Sequence, residues 1–228
     1  MIQGIYQAAA AMVGELVRQD IRAHNLANVN TNGFKRTVAR LVRGGDPRQQ
    51  GIVAQSVDLT PGELQSTGAP LDLALRGSGY FVLDTGAGRQ YTRNGHFMLD
   101  RNGYLVNGQG FRVLGTRGPI RVPSGGQVLV ADDGTITSDG KVIDRLLVVD
   151  FGATGQLQHN PNTALTGAPA PTQVARASVV QGYLEASNVQ PVLEMVGMTE
   201  GYRIYEANAK AITEVDRSLG RLIEAATG

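Results

Sequence analysis

The chain has 228 residues and a formal charge of +1 from 21 basic and 20 acidic side chains; the two signs are mixed along it, leaving no basic stripe for nucleic acid or an anionic membrane. With 42% hydrophobic residues it can bury a full core, while 5% aromatic residues, no Trp and 30 Gly point to a turn-rich interior rather than an aromatic-lined ligand pocket. The absence of Cys removes disulfides, thiolate catalysis and thiolate metal sites together.

The opening stretch MIQGIYQAAAAMVGELVRQD has neither the basic start nor the continuous apolar segment of a secretory signal, and no run approaches the ~18–20 apolar residues of a spanning helix. Export, if it occurs, is expected by another route. Apolar positions step by three and four through Ile2, Ile5, Ala9, Met12 and Leu16, then Gln19, Ala23 and Leu26. That spacing predicts an amphipathic helix with a heptad-like seam and one polar interruption. After it, residues 25–36 read NLANVNTNGFKR, with four asparagines in eight residues followed by Gly-Phe and two cations.

From residue 40 to 70 Gly, Pro and Gln occur with little periodicity, as in a connector or β-arm. The pattern then changes to short apolar or alternating runs: LDLALRG, GYFVLD, RQYTRNGHFMLD, GYLVNGQGFRVLG and QVLVADDGTITSDGKVI. Between them stand Gly86-Ala-Gly88, Asn94-Gly95, Asn102-Gly103, Asn107-Gly108, Asp133-Gly134 and Asp139-Gly140, dipeptides that supply the positive φ of tight hairpin turns. A mainly antiparallel, hairpin-rich β body is expected over about residues 61–180. Residues 160–191 resemble the first connector. A second helical stripe follows through Met195, Met198, Tyr202, Tyr205, Ala209 and Ile212, then Asp216, Leu219 and Ile223, with Pro191 and Glu194 suited to its first turn. Gly4 and Gly14 in the first helix, and Gly197, Gly201 and Gly220 in the second, each cost ~1 kcal/mol relative to Ala, so both seams need a packing partner.

No catalytic set stands out. His24, His96 and His159 fall on a helix, a hairpin and a loop without metal-ligand spacing. RGSGYFV lacks the third glycine and the following helix of a dinucleotide loop, and its Ser78 sits in no nucleophile elbow. The Asp100-Arg-Asn102-Gly103 and Asp132-Asp133-Gly134 stretches lack the later Gly and Glu of a calcium loop. No enzyme activity, cofactor or metal is expected.

Four motifs in order carry a resemblance: NLANVNTNGFKR after the amphipathic start; LDLALRGSGYFVL with YTRNGHFMLDRNGYLV; YLEASNVQPVLEM; and YRIYEANAKAITEVDRSLGRLI at the end. The chain resembles the flagellar rod and hook family, the axial proteins of the bacterial flagellum, over nearly its whole length. Within it the short region after the first helix, and TPGELQSTGAPLDLAL joined to SNVQPVLEM, are most similar to proximal-rod subunits. A distal-rod or hook-family subunit is the alternative.

The resemblance implies a structural subunit whose terminal helices pair as a coiled-coil-like, tube-forming layer inside a β body. It implies residues 1–36 as an N-terminal helical assembly segment, 37–60 as a connector, 61–180 as the β body, and 181–228 as a lead-in and C-terminal assembly segment. Assembly contacts are expected at Ile5, Met12, Leu16, Leu26, Met195, Met198, Tyr202, Tyr205, Ile212 and Leu219, with Gln19 and Asp216 setting register. Asn25, Asn28, Asn32 and Gly33 form the turn motif, which would cap the first helix with Asn, a residue tolerant of the left-handed conformation, and Gly, and turn the chain outward, with Phe34 anchoring the turn. Implied partners are itself, other rod subunits and the type III export apparatus, in a periplasm-spanning basal-body rod; nucleic acid and membrane insertion are not. Outside the family, a soluble β-domain enzyme or ligand-binder, or a helical dimerisation adaptor, are the other readings.

Overall fold

The computed structural model describes residues 2–42, 52–123, 125–151, 156–159, 165–168, 173–174 and 177–227. It is mainly antiparallel β-sheet with one long helix near each end of the chain. The chain forms two compact units. One contains Met1–Asn28, Thr37–Ser56 and Val189–Gly228; the other contains Val29–Arg36 and Val57–Asn188.

In the first unit α1 spans Ile2–Ala27 and α2 spans Pro191–Thr227, lengths of ~39 and ~55 Å at 1.5 Å per residue. The run Ala8 to Ala11 favours α1 by propensity. Pro191 opens α2, where its missing N–H costs nothing, and Glu194 lies in the first turn. Strands Thr37–Val42 and Ile52–Val57 pair with one another, and Val53 touches α1 at Gly14.

The second unit is built around the strand Tyr80–Asp84. It pairs antiparallel with Arg89–Thr92 on one side, and with Val148–Asp150 and then Arg112–Gly115 on the other. Successive side chains of a strand point to opposite faces, so Phe81 and Leu83 enter a core with Leu73, Phe97, Leu105 and Ile136. Tyr80 and Val82 enter a second core with Tyr91, Phe151 and Leu165. Burial on both faces explains why this strand reads as a continuous apolar run. The unit is closed by distant pairs: Leu64–Ser66 with Tyr183–Glu185, and Leu73–Arg76 with Ser178–Gln181.

Five of the six predicted turns join consecutive strands that pair with each other, at Gly86 to Gly88, Asn102-Gly103, Asn107-Gly108, Asp133-Gly134 and Asp139-Gly140. Asn94-Gly95 does not. There the chain leaves Arg89–Thr92 and passes directly over another strand: a Cβ on Gly95 would lie 1.6 Å from the Leu73 carbonyl oxygen. The glycine is required by close backbone approach, not by turn geometry. Of the two expected connectors, residues 43–51, 160–164, 169–172 and 175–176 lie outside the described residues.

Candidate functional site

The two helices run in opposite directions, and their contact is more polar than the predicted seams. Asn25 Nδ2 donates to Glu194 Oε1 at 3.2 Å, and Gln19 Nε2 donates to the Met198 carbonyl at 2.8 Å. Glu15, buried, accepts from Arg18 at 3.0 Å and Arg22 at 2.9 Å. These side chains lie over Gly197 and Gly201. A Cβ on Gly201 would fall 2.1 Å from Glu15 Oε1, and one on Gly197 2.8 Å from Arg22 Nε, whereas Gly4 and Gly220 face open space. Two of the glycines that weaken the helices by propensity therefore admit polar groups of the opposite helix.

Met12, Leu26, Met198, Tyr205 and Ile212 are half-buried, as is Gln19, while Asp216 is exposed. Leu16, Met195 and Tyr202 are 50%, 52% and 66% exposed. Ile5 and Leu219 lie in α1 and α2, and their side chains fall outside the description. Periodicity missed the inward positions Glu15 and Asn25 because it weighs only apolar residues, and Ile21 because it lies off the seam through Leu16, Gln19 and Ala23. The charged spacing of Glu15, Arg18 and Arg22 was the available signal.

The predicted turn works through side chains. Asn28 N donates to the Asn25 carbonyl at 3.1 Å and Asn28 Nδ2 to the His24 carbonyl at 2.9 Å, closing the last turn of α1. Asn25 bonds both main-chain groups of Thr37, at 2.9 Å each. Asn32 is half-buried. None of these asparagines takes the left-handed conformation, Asp139 being the one described non-glycine residue with positive φ. Gly33 does so, at φ 68°, beyond the helix end, where its N–H donates to the Glu185 carbonyl at 2.6 Å. A Cβ there would lie 2.3 Å from the main chain of Arg93 and Asn94. Phe34 beside it is buried.

Around this turn, in the second unit, three of the sequence motifs meet in a buried ion cluster. Lys35 Nζ donates to Glu185 Oε1 and to the Thr60 carbonyl, the latter at 2.7 Å. Arg93 donates to Glu185 Oε2 at 3.2 Å, to the carbonyls of Leu75 and Gly77 at 3.1 and 2.5 Å, and stands 5.4 Å over the Tyr80 ring. Gly62 N completes the shell of Glu185 Oε1 at 2.9 Å. All three charged side chains are closed to solvent. Burial pushes the Lys35 ammonium below its usual pKa against the pull of Glu185, and pushes the Tyr80 hydroxyl up to about 12. Beside the cluster Asn188 Oδ1 accepts from Arg36 N at 2.7 Å, and its amide donates to the carbonyls of Asp58 and Thr60 at 3.0 Å. Such a cluster, which ties four main-chain groups at Thr60, Gly62, Leu75 and Gly77 to its charged side chains, fixes the path of the chain.

His24 lies on α1, and His96 Nδ1 bonds Asp72 Oδ1 at 2.7 Å. Among the described residues no group of three His, Asp or Glu side chains is placed to hold a metal ion, and no helix is long and apolar enough to cross a membrane.

Three family models match the chain at its two ends and middle. Residues 5–35 match the flagella basal body rod protein model, 74–143 the flagellar hook protein FlgE/F/G D1 domain, and 180–225 the flagellar basal body rod FlgEFG protein C-terminal model. The chain is 35% identical to the flagellar basal-body rod protein FlgF of Escherichia coli (strain K12) over 97% of each chain. The chain belongs to the flagellar basal-body rod protein family. FlgF of Salmonella typhimurium is likewise 35% identical over 97% of each chain, and FlgG of Bacillus subtilis 31% over 98% of each. The rod family is structural rather than enzymatic.

Proposed function

We propose that this chain is a proximal-type subunit of the flagellar basal-body rod, assembling with itself and with other rod subunits through its terminal helices to carry torque. The observation that supports this reading is similarity to FlgF over 97% of both chains, joined to large apolar side chains left open to solvent along both helices, Tyr6, Val13 and Leu16 on α1 and Val192, Val196 and Tyr202 on α2. A lone chain gains nothing by exposing so many. In the assembly, α1 and α2 form a coiled-coil-like layer with helices of neighbouring subunits. Ile5, Met12, Leu16, Leu26, Met195, Met198, Tyr202, Tyr205, Ile212 and Leu219 supply its apolar contacts, each worth ~1.5–3 kcal/mol when fully buried. Gln19 and Asp216 set register, the division at residues 36, 60 and 180 separates assembly segments from body, and export runs through the type III apparatus to a periplasm-spanning rod.

The test is replacement of Leu16 and, separately, Tyr202 by Asp in a flagellated strain whose own copy is deleted. Swimming and rod incorporation should be lost, while the purified variants keep the parent circular dichroism and a protease-resistant β unit. Normal swimming with Leu16→Asp overturns the assignment of these helices as the assembly surface.

A further inference from the structure

Four Asn-Gly pairs occur in the chain, at 32–33, 94–95, 102–103 and 107–108, and their surroundings differ in chemically decisive ways. An asparagine before glycine can lose its side-chain amide when the glycine nitrogen attacks its Cγ. That step needs a glycine N–H free to give up its proton, open space around the glycine, and donors on the side-chain oxygen as negative charge develops there.

Three pairs lack at least one of these. Gly33 N is held by the Glu185 carbonyl at 2.6 Å, and Gly103 N by the Asp100 carbonyl at 3.0 Å. Gly95 is clamped by main chain, its carbonyl accepting from Leu73 N at 3.0 Å and its Cβ position occupied by the Leu73 oxygen. Asn107-Gly108 meets all three conditions. Gly108 is exposed, nothing lies within 4 Å of its Cβ position, and its N–H has no acceptor among the described residues. Asn107 Oδ1 accepts two main-chain N–H groups, from Gln109 at 3.1 Å and Phe111 at 2.9 Å. Its Nδ2 has a single long contact, 3.4 Å to Gln109 Oε1 at the surface.

We propose that Asn107 is a self-modification site, converted through a succinimide to aspartate and isoaspartate, with the Gln109 and Phe111 N–H groups acting as an oxyanion hole. Solvent base takes the Gly108 N–H proton, and the nitrogen forms a bond to Asn107 Cγ. The Cγ–Nδ2 bond breaks and ammonia leaves with a proton from solvent. Water then opens the five-membered ring at either carbonyl, restoring the main-chain amide as aspartate or rerouting it through the side chain as isoaspartate. No oxidant or reductant is involved. The product places a carboxylate at the tip of a hairpin, and the isoaspartate branch adds a backbone carbon where Asn107 N donates to the Phe111 carbonyl and Gly110 N to the Asn107 carbonyl, both at 3.0 Å.

The test incubates the full chain in mildly alkaline buffer, folded and in urea, and follows the four sites by peptide mass and by isoaspartyl methyltransferase labelling. In the folded chain Asn107 should convert about tenfold or more faster than Asn32, Asn94 or Asn102, and in urea the four rates should converge. Gly108→Ala, for whose Cβ there is open space, should keep the parent circular dichroism and slow conversion at 107 by about tenfold. An intact Asn107 amide in the folded chain under conditions that convert it in urea, or equal rates at 102 and 107 when folded, overturns the proposal.

Discussion

Lys35 and Glu185, 150 positions apart, form a hydrogen-bonded ion pair in which neither side chain reaches solvent. Arg93 takes the other oxygen of the same carboxylate, so two cations share one anion. Losing either kind of charge therefore has unequal consequences. Lys35→Met leaves a paired Arg93 and Glu185, whereas Glu185→Gln leaves two buried cations facing a neutral amide. Glu185→Gln should destabilise the β unit by about 3–5 kcal/mol, and Lys35→Met by less. Urea unfolding followed by near-ultraviolet circular dichroism measures both, and an inverted order would contradict the charge argument.

Gly33 and Gly68 share nearly the same backbone angle, φ 68° and 70°, but only Gly33 has main chain against its Cβ position. The left-handed conformation alone costs a side chain ~1–2 kcal/mol. Gly68→Ala should cost about that much, while Gly33→Ala adds a clash that nothing flexible can relieve and should cost about 3 kcal/mol or more. Thermal unfolding of the two variants separates the terms.

Gly201 and Gly220 lie in the same helix and would be equivalent by propensity. Gly220→Ala should stabilise α2 by about 1 kcal/mol. At Gly201 the added methyl must displace Glu15 together with Gln19 and Arg22, and Glu15 is held by its bonds to Arg18 and Arg22, so Gly201→Ala should lower stability by about 1 kcal/mol despite the better propensity. Helical circular dichroism on heating reads both signs.

Asp144 supplies an acid limb to stability. Burial pushes its carboxyl up, but donors from Arg145 N, the Thr116 hydroxyl, and Arg117 N and its guanidinium outweigh this and hold its pKa below the ordinary value. The unfolded chain then binds the proton more readily, so the contribution is complete above the ordinary carboxylate pKa of about 3.9 and disappears as pH falls through the lower folded value. Asp144→Asn should cost about 2 kcal/mol at neutral pH and flatten that part of the stability profile, which unfolding curves across the acid range would show.

Local chemistry and tertiary structure can be separated residue by residue. Helix, strand and most turns were legible because each rests on neighbours in the chain: the three-four stripes of α1 and α2, the alternation of strands, and dipeptides such as Asn102-Gly103 that carry their own backbone preference. Asn94-Gly95 shows the boundary of that reading, since the same dipeptide is demanded there by a strand twenty residues away in sequence. The motifs NGFKR, YTRNG and YLEASN marked the family by themselves. Their common purpose, one cluster of Lys35, Arg93 and Glu185, depends on pairings across most of the chain that no local pattern encodes.

The sequence by itself thus determined an antiparallel β body between two amphipathic helices and membership of the rod family, because periodicity, turn chemistry and motif order are properties of short segments. Only the tertiary structure decided that Gly197 and Gly201 receive Glu15 and Arg22 rather than merely loosening a helix, that residues 29–36 belong to the same compact unit as the strand Tyr80–Asp84, and that the main-chain carbonyl of Glu185 holds the turn at Gly33 while its buried carboxylate binds Lys35 and Arg93. Each depends on which surfaces meet when the chain folds, and a side chain's cost or value follows from what it meets.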